Sequence, residues 1–191
     1  MALLDNVDVS LADLRSTSDD ATEVADILRK LTALREYDLP AAEMQSLLLS
    51  GLLYGPSYSP ELNVYDDLKN SGELALLTNP DLRRALARME SRLRLIELAQ
   101  SDFAAVQELS IDSYIIDHID MRLVYGFSLG TDYVVGDVDK ILEYTSEIQF
   151  QNRILLKLDL VTSIETDYSN MESALLDVQG IIKSQLGTTG N

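Results

Sequence analysis

One apolar rhythm dominates this chain and restricts what it can fold into. Val7, Leu11, Leu14, Ser18, Ala21, Ala25 and Leu28 follow one another at alternating steps of four and three. That spacing keeps a single stripe facing one way on an α-helix and matches no β-strand, whose faces alternate every residue. It predicts a first helix over 5–37. The middle of its seam is small (Ser18, Ala21, Ala25), so a neighbouring helix can approach closely. Asp38-Leu39-Pro40 ends it, because a residue before proline avoids helical backbone angles.

The same rhythm returns twice. Leu82, Leu86, Met89, Leu93, Ile96, Gln100 and Phe103 keep it along a helix expected from Pro80 to about Glu108, with Gln100 as a polar residue in the seam that can set register. Ile141, Ile148, Leu155, Leu158, Val161, Ile164, Tyr168, Met171, Leu175, Val178 and Ile182 carry it through a last helix expected over 138–186. Unbroken, that helix is about 70 Å long. Shorter helices are expected over 41–53, 62–70 and 111–125, with a further turn over 73–77. The expectation is an all-α fold: an elongated antiparallel helical bundle with long first and last helices and a short-helix corner. It is read as one domain over 1–186 with a frayed tail over 187–191.

The corner is written in helix punctuation. Ser59 and Pro60 are expected to start a helix, Gly72 to close one in the left-handed conformation, and Asn79-Pro80-Asp81 to start the next. Tyr65, Leu68, Leu74 and Leu77 are expected to plug the corner into the bundle.

Composition removes several classes of function. The chain has no cysteine, so disulfides, thiolate metal sites and cysteine nucleophiles are absent. Its 32 acidic against 15 basic residues give a net charge of −17. Such a surface repels the phosphate backbone, which argues against nucleic-acid binding, although an acidic DNA mimic also fits. No apolar run approaches the roughly 20 residues of a membrane span, and the first residues lack the basic region of a signal peptide. The chain starts within a helical pattern without a cap, so Met1 reads as the start of a segment cut from a longer protein.

Few residues offer chemistry. His118 is the only histidine and shares a helical face with Tyr114, which suggests a polar core site. Asp117 and Asp120 point elsewhere, so a metal at His118 is poorly supported. Asp132, Asp137 and Asp139 in the glycine-bearing connection lack the order of an EF-hand, and Asp137 reads better as a helix cap. Arg84, Arg88 and Arg92 recur at every fourth position, beside Arg83 and Arg94. They suit an anionic ligand, an anionic partner or lipid headgroups. Pairing with the protein's own acidic residues is the stronger expectation, since Asp13, Asp19, Asp20, Glu23 and Asp26 crowd the first helix. Tyr54, Tyr58 and Tyr65 near the corner either pack in the core with a wet hydroxyl or line a pocket. No nucleophile elbow, phosphate loop, zinc motif or dinucleotide fingerprint is present, and nothing calls for a cofactor.

The segment from Tyr58-Ser59-Pro60, through Tyr65-Asp66-Asp67-Leu68 and Ser71-Gly72-Glu73-Leu74, to Asn79-Pro80-Asp81-Leu82-Arg83 resembles an uncharacterised family of bacterial single-span membrane proteins. Asn152-Arg153-Ile154-Leu155-Leu156-Lys157-Leu158 is a second likeness, in the expected order. The resemblance implies the soluble region of a membrane-anchored protein whose N-terminal anchor is missing here. It implies an inner-membrane location facing the periplasm, the cytoplasm being the alternative, and it carries over no catalytic residue to this chain. Three functions stay open. The first is a non-enzymatic interaction or sensory domain with a protein partner. The second is a scaffold that self-associates as a homodimer or larger homo-oligomer. The third is a metal-dependent enzyme built around His118.

Overall fold

The computed structural model describes residues 2–120 and 138–188. Every regular element among them is helical. The helices are α1 (Ala2–Thr32), α2 (Ala41–Leu53), α3 (Asn63–Asn70), α4 (Pro80–Val106), α5 (Ser113–His118), α6 (Val138–Ser146) and α7 (Ile148–Thr188). Short 3₁₀ turns at Leu34–Glu36 and Glu73–Leu76 follow α1 and α3, and a π-helical stretch, Gln107–Asp112, joins α4 to α5. The chain divides into two compact units. One comprises Met1–Asp19, Ser57–Leu98 and Ile164–Asn191; the other comprises Asp20–Pro56 and Ala99–Ser163.

In the first unit the start of α1 runs antiparallel to the end of α7. Asp8 accepts from Gln179 at 2.6 Å and Glu172 accepts from Arg15 at 2.7 Å, so rising numbers on one helix meet falling numbers on the other. Val7, Leu11 and Leu14 pack inward, as do Val178, Leu175, Met171, Tyr168 and Ile164. The heptad thus does what its spacing requires, burying one apolar stripe per helix.

The start of α4 follows its sequence closely. Asn79 Oδ1 accepts from the amides of Asp81 (2.8 Å) and Leu82 (3.2 Å), satisfying two donors that the first helical turn leaves without partners. Gly72 takes φ 79°, the left-handed angle expected of it. Tyr65 is buried and its hydroxyl donates to Glu90 at 2.7 Å, while Leu68, Leu74 and Leu77 are only half-buried. Ser59 and Pro60 do not start a helix: α3 begins at Asn63, after Leu62, with no side-chain cap. The Val64 amide instead donates to Asn6 Oδ1 of α1 at 3.3 Å, so a distant side chain supplies the missing acceptor.

In the second unit, glycine sets the approach of α2 to α1. Gly51 is buried, and a Cβ there would press on the Leu31 side chain and lie 3.1 Å from Ile27 Cγ2. Gly180 on α7 is the contrasting case, exposed in mid-helix with open space where a Cβ would go. Replacing it with alanine is expected to stabilise the protein by about 0.5–1 kcal/mol, through helix propensity alone. A shift of the urea midpoint at unchanged slope checks this.

Three helix boundaries differ from the sequence expectation. α1 ends at Thr32 and passes into the 3₁₀ turn rather than reaching Tyr37. The helix expected over 111–125 is not separate: α4 continues through the π-stretch into α5, which ends at His118. The long last helix is interrupted at Glu147, between α6 and α7. That interruption resets the seam. Ile148 and Leu155, expected in the core, are 75 % and 51 % exposed, and the inward positions are Phe150, Ile154, Lys157 and Val161. The expected cap at Asp137, and Asp132, lie outside the described residues.

Candidate functional site

The reset seam on α7 puts a lysine where an apolar residue belongs. Phe150, Ile154, Lys157, Val161 and Ile164 step by four and three, and all are buried. Lys157 is 1 % exposed. An unpartnered ammonium there costs several kcal/mol, so its surroundings must supply acceptors.

They do, from two helices. Lys157 Nζ donates to the Leu52 carbonyl at 2.9 Å and to Gln107 Oε1 at 2.8 Å. Leu52 lies in the last turn of α2, where carbonyls lack intrahelical donors and the helix dipole is negative. The lysine therefore caps α2 from another element. Gln107 Nε2 donates to the same carbonyl at 2.9 Å and to Asp112 Oδ1 at 2.6 Å, closing the network. The Phe103 ring lies 5.4 Å from Nζ and presents its electron-rich system to the cation. Burial pulls the Lys157 amine down to about 8, against the opposing pull of Asp112.

The π-stretch is what brings Gln107 to the lysine. Phe103, Ile111 and Ile115 are buried and Gln107 is half-buried, four residues apart in turn. In an α-helix each four-residue step overshoots a turn by about 40°, so three steps would carry Ile115 about 120° away from Phe103. A wider turn with i to i+5 bonding absorbs that drift. The carbonyl of Ser110 accepts from Arg153 Nε at 3.1 Å as well as from the Ser113 amide.

Beside this network, Tyr114 is clasped by three groups. Its hydroxyl donates to Glu147 at 2.8 Å, at the break between α6 and α7. The Arg153 guanidinium lies 4.4 Å from its ring centre, and His118 stacks on it at 4.4 Å with planes 11° apart. Burial, then the bond to Glu147, pushes the phenol up to about 12.

The residues singled out from sequence divide. Tyr114 is buried as expected, but His118 is exposed and so is not part of a core site; it covers the tyrosine from outside. Arg84 pairs with Asp81, and Arg88 with Asp177 at 3.0 Å. Their partners lie on α4 and α7, not on the acidic first helix as expected, and both pairs are well exposed, so each contributes little to stability. No ion pair involves Arg92 among the described residues. Tyr58 is buried and donates to the Ser10 carbonyl at 3.2 Å, whereas Tyr54 is 60 % exposed and lines a cleft. Among the described residues no group of three His, Asp or Glu is placed to hold a metal ion, and no helix is long and apolar enough to cross a membrane. The sequence pattern does not single out Lys157, which enters only as one residue of the Asn152–Leu158 likeness. Its signal was a lysine in an otherwise apolar four-three series, hidden by treating 138–186 as one helix.

Comparison with family profiles, with curated proteins and with solved structures found no match to this chain.

Proposed function

We propose that this chain is a non-enzymatic helical interaction or sensory domain, the extramembrane region of a membrane-anchored bacterial protein facing the periplasm. The observation that carries the interaction reading is on α7. Ile148 and Leu155 stand seven residues apart on one helical face, outward and exposed. Leu109 and Ile116, in the same unit, are exposed as well. Large apolar side chains turned to water favour a protein partner. The anchored reading rests on the corner and Asn152–Leu158 resemblance alone.

Two measurements test these parts separately. The native reading frame ahead of Met1 is expected to encode a basic-flanked run of about 20 apolar residues. A stop codon directly ahead of Met1 would remove the anchored reading. Self-association is the second form of the interaction reading, favoured by the same exposed pairs. Light scattering over a wide concentration range is expected to show reversible dimerisation that Ile148→Ser/Leu155→Ser abolishes; a monomer at every concentration would leave only a different protein as partner.

A further inference from the structure

The second unit holds a cleft of about 310 Å³ between α1 and the end of α2. We propose that it binds an aliphatic ammonium group, carried either by a free amine or by a lysine side chain of a partner. Its α1 wall is Asp20, Glu23, Val24 and Ile27, spaced to share one helical face. The first two bring carboxylates and the next two an apolar floor. Tyr54, Gly55 and Pro56 close the other side.

Three independent properties converge on that ligand. The carboxylates of Asp20 and Glu23 have no ion-pair partner among the described residues, while Asp26 on the same helix is taken by Arg29. Tyr54 offers an exposed aromatic ring at the cleft, a surface that attracts cations. Val24 and Ile27 offer an apolar strip for a methylene chain, which an inorganic cation could not use. The volume is at the lower end of the range for small-molecule sites, suited to a short chain rather than a large ring system. The net charge of −17 draws cations toward the surface. Gly55 fixes the wall, because its backbone rests on the Phe103 ring with no room for a side chain between them.

The inference does not depend on whether the chain is anchored. Its test is titration of the whole chain with hexylammonium, hexanol and a capped lysine peptide, followed by NMR shifts of Tyr54, Val24 and Ile27. Hexylammonium is expected to bind at least tenfold more tightly than hexanol, and more weakly as salt is raised. Asp20→Asn/Glu23→Gln should lose at least tenfold in affinity, and Tyr54→Ala several-fold, while Glu43→Gln on the exposed side of α2 changes nothing. All four positions are on the surface, and unchanged melting curves will show that the variants fold. Binding of the lysine peptide at equal or greater affinity identifies a partner side chain as the source; binding of hexylammonium alone identifies a free amine. Equal binding of hexylammonium and hexanol, or no shift at these residues, overturns the proposal.

Discussion

Replacing Lys157 with alanine is expected to lower the stability of the protein by about 3–4 kcal/mol, while methionine at the same position restores most of the loss. Alanine removes a fully buried side chain, leaves a cavity beside Phe103 and strips Gln107 Oε1 of its donor. Methionine also leaves Gln107 Oε1 without this donor, but it refills the volume without a charge, and Leu52 keeps the bond from Gln107 Nε2. Chemical denaturation of the three proteins measures the difference. Equal losses for alanine and methionine would mean that the charge, not the packing, matters at this site.

The ionisation of Lys157 adds a pH signature with a definite sign. Its amine titrates near 8 in the folded chain and near 10.5 when unfolded. Between those values the unfolded chain binds the extra proton, so stability rises with pH. The full span corresponds to about 3 kcal/mol. Tyr58, Tyr65 and Tyr168 act in the opposite direction above pH 10, since burial holds their phenols above the ordinary value in the folded chain. The clean window is therefore pH 8 to 10. Wild type should gain stability there relative to Lys157→Met; parallel pH profiles would show that the lysine stays charged throughout.

Gly51→Leu is the second large effect, an expected loss of about 3 kcal/mol or more. The glycine lies where α2 meets α1, and the space its side chain would need is filled by Leu31, Ile27 and Leu28. Leu28 and Leu31 are fully buried and cannot swing outward without leaving the core. Gly51→Ala is the milder version, in which gained helix propensity offsets part of the displacement. A melting temperature for Gly51→Leu within a degree of wild type would mean that α2 can back away from α1.

The helices that obey a single rhythm are legible in the sequence. α1, the start of α4 and the second half of α7 bury the residues their spacing assigns, and Asn79 and Gly72 perform as punctuation. Those features depend on local geometry, and local geometry is written in neighbouring residues. What could not be read depends on departures from the α-helical period. The π-stretch at Gln107–Asp112 and the interruption at Glu147 each change which residues face inward, and their stabilising partners, Arg153 and Tyr114, come from distant parts of the chain. Once the seam is reset, Lys157 becomes visible; before that, it counts as one more surface lysine. Of the arginines, Arg84 and Arg88 are paired as expected; Asp81 is a local partner three residues before Arg84, whereas Asp177, the partner of Arg88, could not be read because which acidic helix lies alongside is a tertiary fact.

The inward lysine also limits how α7 can be threaded. A heptad helix slid by seven residues presents another apolar stripe of much the same shape, and apolar contacts alone tell the two threadings apart only weakly. Here a slide in one direction sets Phe150 against the Leu52 carbonyl, and in the other Ile164. Either leaves Lys157 seven positions away from Gln107 and Leu52, a cation facing an apolar layer without its acceptors. That is a penalty of several kcal/mol for either wrong threading. One side chain thus makes a repetitive helix count its residues.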